Sequence, residues 1–138
     1  MRTRAADVRR LMAAARAARA HAYAPYSGYR VGAALLTRRG DVYAGCNVEN
    51  ATYGATLCAE RAAVAAMVAA GGADPVACAV LTGGPRPGPP CGICRQVLSE
   101  FARDMQIVLV AEDERGRVIA RRTARLASLL PDAFRLPH

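Results

Sequence analysis

Along the first twenty residues, Val8, Leu11, Met12 and Ala15 recur at helical spacing, while Arg9, Arg10, Arg16 and Arg19 fall between them. That stripe predicts an amphipathic surface helix. The breaker-rich stretch Ala24-Pro25-Tyr26-Ser27-Gly28 reads as a loop, and Tyr29 to Thr37 then reads as a strand with Val31, Ala33 and Leu35 on one face. Gly32 sits in that strand as a place for close backbone approach. After the turn Arg38-Arg39-Gly40-Asp41, the stretch Val42 to Asn47 predicts a second strand, antiparallel to the first.

Asn47 to Thr56 has neither helical nor strand period, which suits a binding loop between two regular elements. From Leu57 or Cys58 to Ala70 the chain is rich in Ala and Met and free of breakers, and Gly71-Gly72 ends it, so a buried helix with a glycine C-cap is expected. Pro75 to Leu81 reads as an interior strand, Thr82 to Pro90 as a Gly/Pro loop, and Cys91 to Phe101 as a helix packed through Val97, Leu98 and Phe101. Gln106 to Ala111 is a further strand. The acidic turn Glu112-Asp113-Glu114-Arg115-Gly116 leads directly into Val118-Ile119-Ala120, a connection too short for a parallel crossover, so these strands are expected to be antiparallel neighbours. Leu126 to Leu130 reads as a closing helix followed by a tail.

With 138 residues, one compact domain spanning 1–138 is expected, large enough to bury a core without disulfides. The start, Met1-Arg2-Thr3-Arg4-Ala5-Ala6, superficially suits a mitochondrial transit peptide, but the apolar stripe favours a folded helix. The five cysteines are an odd number, there is no secretory apolar segment, and two of the thiols have metal spacing, so a reducing, cytoplasmic compartment is the expectation. No apolar run is long enough to span a bilayer, and no membrane partner is expected. A net charge of +8 invites a nucleic-acid reading. Every basic side chain is Arg, however, and they are scattered without interleaved aromatics, so a solvated surface and no nucleic-acid partner are expected.

The chemistry lies in Leu57-Cys58-Ala59-Glu60-Arg61 and Pro90-Cys91-Gly92-Ile93-Cys94-Arg95. If Pro90 opens a helix, Cys91 and Cys94 project from one face of its first turn toward a single ion, and Cys58 completes a three-thiolate set. Zinc suits sulfur ligands, and three protein donors leave its fourth position for water. Glu60, a carboxylate that is not a ligand beside a downstream P-C-x-x-C, is the proton carrier of that arrangement. A structural zinc knuckle or a non-catalytic zinc scaffold is the bland alternative. It wants a fourth protein ligand, and neither His21, His138, Cys46 nor Cys78 offers itself.

Pro25 to Leu35, Gly45 to Ala51, Cys58-Ala59-Glu60-Arg61 and Pro90 to Leu98 together resemble the small homotetrameric cytidine deaminases, in order and over nearly the whole chain. The resemblance implies a three-layer α/β/α fold around a five-stranded mixed sheet whose last two strands are antiparallel. It implies one Zn²⁺ per subunit on Cys58, Cys91 and Cys94, with Glu60 passing a proton to pyrimidine N3 and then to the departing amine. The product is uridine, or deoxyuridine from deoxycytidine, with ammonia, as in pyrimidine salvage.

By the same resemblance Asn47 and Glu49 hold ribose hydroxyls, the Ala59 N–H holds the base carbonyl, and the Pro89 carbonyl meets the leaving amine, Pro standing where Ser or Thr is commoner. Tyr29 stands where Phe is commoner in the base and sugar pocket. Arg61 tunes the sulfurs, with Arg95 a weaker helper, and Tyr53 lies near an interface or pocket. Phe134 reaches a neighbouring subunit's base in a homotetramer with shared active sites. Deamination of a modified cytosine nucleoside such as blasticidin S is the alternative within this chemistry, and a polynucleotide editor is a further one.

Overall fold

The computed structural model describes residues 3–138, so Met1 and Arg2, the first residues of the transit-peptide reading, lie outside the described residues. The chain runs α1 (Ala5–Arg19), β1 (Gly32–Thr37), β2 (Val42–Cys46), a 3₁₀ turn (Tyr53–Ala55), α2 (Ala59–Ala69), β3 (Pro75–Gly83), α3 (Gly92–Phe101), β4 (Gln106–Glu112), β5 (Val118–Arg125) and α4 (Leu126–Leu129). The five strands form one sheet in the order β2-β1-β3-β4-β5. Only β3 and β4 are parallel, joined by the crossover through α3, while β4 and β5 form the expected antiparallel pair.

Helices cover both faces of this sheet. Val8, Leu11 and Ala15 of α1 pack on Ala34, Leu36, Ala79, Leu81, Val108 and Val110. On the other face Ala59, Ala63, Val64 and Met67 of α2 and Leu98 of α3 pack on Val31, Ala33, Leu35, Val80, Ile107 and Leu109. The central strands β1 and β3 are therefore buried at nearly every position rather than alternating, as strands covered on two sides must be. Two glycines bring the layers close. A methyl group on Gly32 would overlap the Ala15 carbonyl of α1, and one on Gly45 would overlap the Ala62-Ala63 backbone of α2. Gly71, at φ +79°, ends α2 in the left-handed conformation predicted for it.

Several boundaries differ from the sequence reading: α2 begins at Ala59 rather than Leu57 or Cys58, α3 at Gly92 rather than Cys91, and β3 runs to Gly83 rather than Leu81. The first strand begins at Gly32 rather than Tyr29, because the backbone there is bound by side chains: Asn47 Oδ1 accepts the Val31 N–H at 2.9 Å, and Ser27 Oγ accepts the Tyr29 N–H at 2.9 Å. Glu112 is the last residue of β4, not part of the turn. Its buried carboxylate accepts a hydrogen bond from Arg16 Nε at 2.7 Å and forms an ion pair with Nη2 at 2.6 Å. The last strand extends to Arg125, well beyond Ala120, as an exposed arginine-rich edge. Charged side chains of this kind discourage pairing with another sheet. Among the described residues, no helix is long and apolar enough to cross a membrane.

Candidate metal centre and active site

Cys58 and Cys91 do not lie inside their helices. Each is the residue immediately before one, with extended backbone, and Cys94 follows in the first turn of α3. Helix N-termini carry unpaired N–H groups and partial positive charge, and Ser, Asp or Asn normally answers them. Neither α2 nor α3 has a side-chain cap. Sulfur occupies those positions instead.

The three Sγ atoms converge within 4.8 Å of one another, with Cys58 and Cys91 3.9 Å apart. Tetrahedral zinc with Zn–S bonds of about 2.3 Å needs sulfurs roughly 3.8 Å apart, so this donor set fits one zinc ion. The described residues contribute no fourth ligand to the group. Arg61 Nη2 donates to Cys58 Sγ at 3.4 Å and to the Thr56 carbonyl at 3.1 Å, which holds a cation against the sulfurs. The Cys58 thiol is drawn down to about 5, first by its hydrogen bond with Cys94 and then by Arg61, against the opposing effect of burial. Cys94 moves the opposite way, because it shares that hydrogen bond as the donor and is itself buried. Arg95, expected as a weaker helper, does not reach the sulfurs. Its guanidinium ties the Pro90 and Leu129 carbonyls together at 2.8 and 2.9 Å.

Beside the sulfurs is a cavity of about 180 Å³. Cys58, Ala59, Glu60, Pro89 and Cys91 line it together with Tyr29, Val31, Asn47 and Val80. Glu60 is only 5% exposed, and burial chiefly, helped by the charge of Cys58, raises its carboxyl above the ordinary range. A carboxyl shifted in this direction holds a proton more readily near neutral pH, as a group that both takes and gives protons requires.

Asn47 lines the cavity with its amide already oriented, Nδ2 donating to the Tyr29 carbonyl at 2.8 Å while Oδ1 accepts from Val31. Each amide atom keeps capacity for one more bond. Glu49 lies outside the cavity wall. Its carboxylate is held low, first by the Ser27 hydroxyl and then by the Ser27 and Tyr26 N–H groups. Tyr53, 79% exposed, stands at the tip of the loop closed by the Val48–Leu57 bridge, with its ring edge-on to Tyr26 at 6.4 Å. Phe134, 68% exposed, lies on the tail with its carbonyl held by Gln96 Nε2 at 2.9 Å. Thr56, Thr82 and Gly88 also line the cavity and were not singled out from the sequence. Thr82 ends an apolar run and Gly88 sits in a Gly/Pro loop, so neither carries a local signal.

A three-sulfur centre open on one side to a cavity with a buried carboxylate defines the class, a metal-dependent hydrolase on an α/β scaffold. The chain belongs to the cytidine and deoxycytidylate deaminase zinc-binding family, whose pattern matches residues 6–111. It is similar to the cytidine deaminase of Sporosarcina psychrophila, 42% identical over 128 residues that make up 93% of this chain and 91% of that protein. Similarity to the cytidine deaminase of Mycobacterium tuberculosis is 47% over 119 residues, 86% of this chain and 83% of that protein. The crystal structure of cytidine deaminase from Burkholderia pseudomallei superposes with a TM-score of 0.80 at 46% identity, covering 91% of this chain and 98% of that one.

Proposed function

We propose that this enzyme hydrolyses cytidine and deoxycytidine to uridine and deoxyuridine with release of ammonia, serving pyrimidine salvage, and that residues 1–138 act as one catalytic unit. The convergence of Cys58, Cys91 and Cys94 with buried Glu60 on one cavity carries this reading. Bound there, zinc supplies a Lewis acid that makes a water molecule acidic enough to react near neutral pH.

The chain's own groups do the rest. Glu60 moves one proton to N3 of the pyrimidine and a second to the departing amine, which its buried position beside the sulfurs allows. The N–H of Ala59, an unpaired donor in the first turn of α2, holds the base carbonyl. The Pro89 carbonyl receives the leaving amine, and the Tyr29 ring forms the cavity wall. Asn47 and Glu49 grip the ribose hydroxyls, the discrimination that paired polar groups provide best. Arg61 steadies the thiolates through its bond to Cys58. Tyr53 and Phe134, both exposed at the periphery, fit contact with another copy of the chain, Phe134 reaching the base in the neighbour's site of a homotetramer.

Ammonia release is to be measured from cytidine, deoxycytidine, cytosine and blasticidin S, before and after treatment with a zinc chelator. Turnover of the two free nucleosides, abolished by chelation and restored by Zn²⁺, is the expected result. Turnover of blasticidin S alone, or activity indifferent to the chelator, would overturn the reading.

A further inference from the structure

Of the cavity walls, the one formed by Tyr29 and Gly88 stands out, because a Cβ added to Gly88 would overlap the Tyr29 hydroxyl. The same Cβ would lie 3.7 Å from Tyr29 Cζ, an ordinary contact, so the hydroxyl oxygen alone occupies the place of a side chain at position 88. We propose that Tyr29 and Gly88 form a matched pair in which glycine at 88 lets the tyrosine ring stand against the cavity, making Gly88 a positioning residue for substrate binding. The inference rests on the deaminase reading of this cavity.

Neighbouring contacts decide which partner would yield to a larger residue at 88. The Gly88 N–H donates to Thr82 Oγ1 at 3.4 Å, and Thr82 is a buried residue at the end of β3. A Cβ at 88 would also stand 3.4 Å from Thr82 Cγ2, in van der Waals contact with the end of β3. The Tyr29 backbone is equally fixed, its N–H donating to Ser27 Oγ and its carbonyl accepting from Asn47. What remains free is rotation of the half-exposed Tyr29 side chain. A side chain at 88 therefore swings the ring out of the cavity wall while the sulfurs and Glu60 stay where they are.

Steady-state kinetics with cytidine on the wild type, Gly88→Ala, Tyr29→Phe and the double variant test the pair, with bound zinc measured in each. Gly88→Ala is expected to raise KM about tenfold, the scale of overpacking a filled site, with kcat changed by less than about threefold and zinc retained. In the double variant KM should equal that of Tyr29→Phe alone, since removing the hydroxyl makes room for the alanine. An unchanged KM in Gly88→Ala, or effects that simply multiply in the double variant, would overturn the pairing. Should Gly88→Ala fail to fold, the double variant must fold and match Tyr29→Phe, and its failure to do so overturns the proposal as well. If the wild type turns over no cytidine, the functional reading fails separately. The pair is then judged by crystals of Gly88→Ala, where a displaced Tyr29 ring supports it and an unmoved ring overturns it.

Discussion

Glu60 and Glu112 are buried to nearly the same depth, 5% and 2% exposed, on opposite sides of the sheet. Glu112 faces α1, and one of its oxygens takes a hydrogen bond and an ion-pair contact from Arg16, tying the end of β4 to the first helix. Glu60 faces the metal-side cavity, where burial raises its pKa and the nearby thiolate raises it further. The same side chain is thus a tie in one place and, in the proposed reaction, the proton carrier in the other. The guanidinium ion-paired to Glu112 makes that carboxylate a link between two elements, whereas the Glu60 carboxylate lines the cavity beside the sulfurs.

The sharpest way to break this contrast is Glu60→Gln, which keeps shape and loses proton transfer. It should lower kcat by about 10²- to 10⁴-fold while zinc content stays at the wild-type level, measured by ammonia release and metal analysis. Retention of most of the activity would remove Glu60 from the proton-transfer role. On the other face, Arg16→Met leaves Glu112 buried without its cation. Losing one partner of a buried pair costs about 3–5 kcal/mol, and solvent screening at the half-exposed Arg16 reduces this to about 1–3 kcal/mol. Urea unfolding should register that loss with kcat unchanged, and a fall in kcat as large as that of Glu60→Gln would erase the distinction between the two carboxylates.

The smallest effect belongs to a surface carboxylate. Partial burial pushes Asp104 up, but the Ala127 N–H and Arg125 outweigh it and hold the group below the usual range. A pKa lowered by folding contributes stability above the unfolded value of about 3.9, and that contribution is lost as pH falls through the folded value. Asp104→Asn should accordingly cost about 0.5 kcal/mol at neutral pH, and the gap to wild type should close below about pH 4. A gap that persists at pH 2.5 would mean that packing, not charge, sets the difference.

Legibility followed the range of the interaction. The α1 stripe, the hairpin of β1 and β2, the glycine stop after α2 and the antiparallel last pair were all readable, because each is written within a few neighbouring residues. The Cys91 and Cys94 pair was equally local, its spacing matching one helical turn. Glu112 was misplaced for the converse reason. In an acidic stretch it looks like a turn residue, and only Arg16, 96 positions away, makes it a buried strand end. The start of β1 was read too early because Tyr29 and Val31 resemble strand residues, while their backbone groups are engaged by Ser27 and Asn47.

By itself the sequence determined the order of helices and strands, the candidate ligands and the carboxylate beside them, since periodicity, breakers and motif spacing act over single turns and short strands. Only the tertiary structure decided that Cys58 lies 3.9 Å from Cys91 across 33 positions, that Arg16 finds Glu112, and that the Tyr29 hydroxyl fills the space above Gly88. Those contacts depend on how helices seat on the sheet and on the register between strands. Both are set by packing the whole core at once, and no short stretch of chain carries that information.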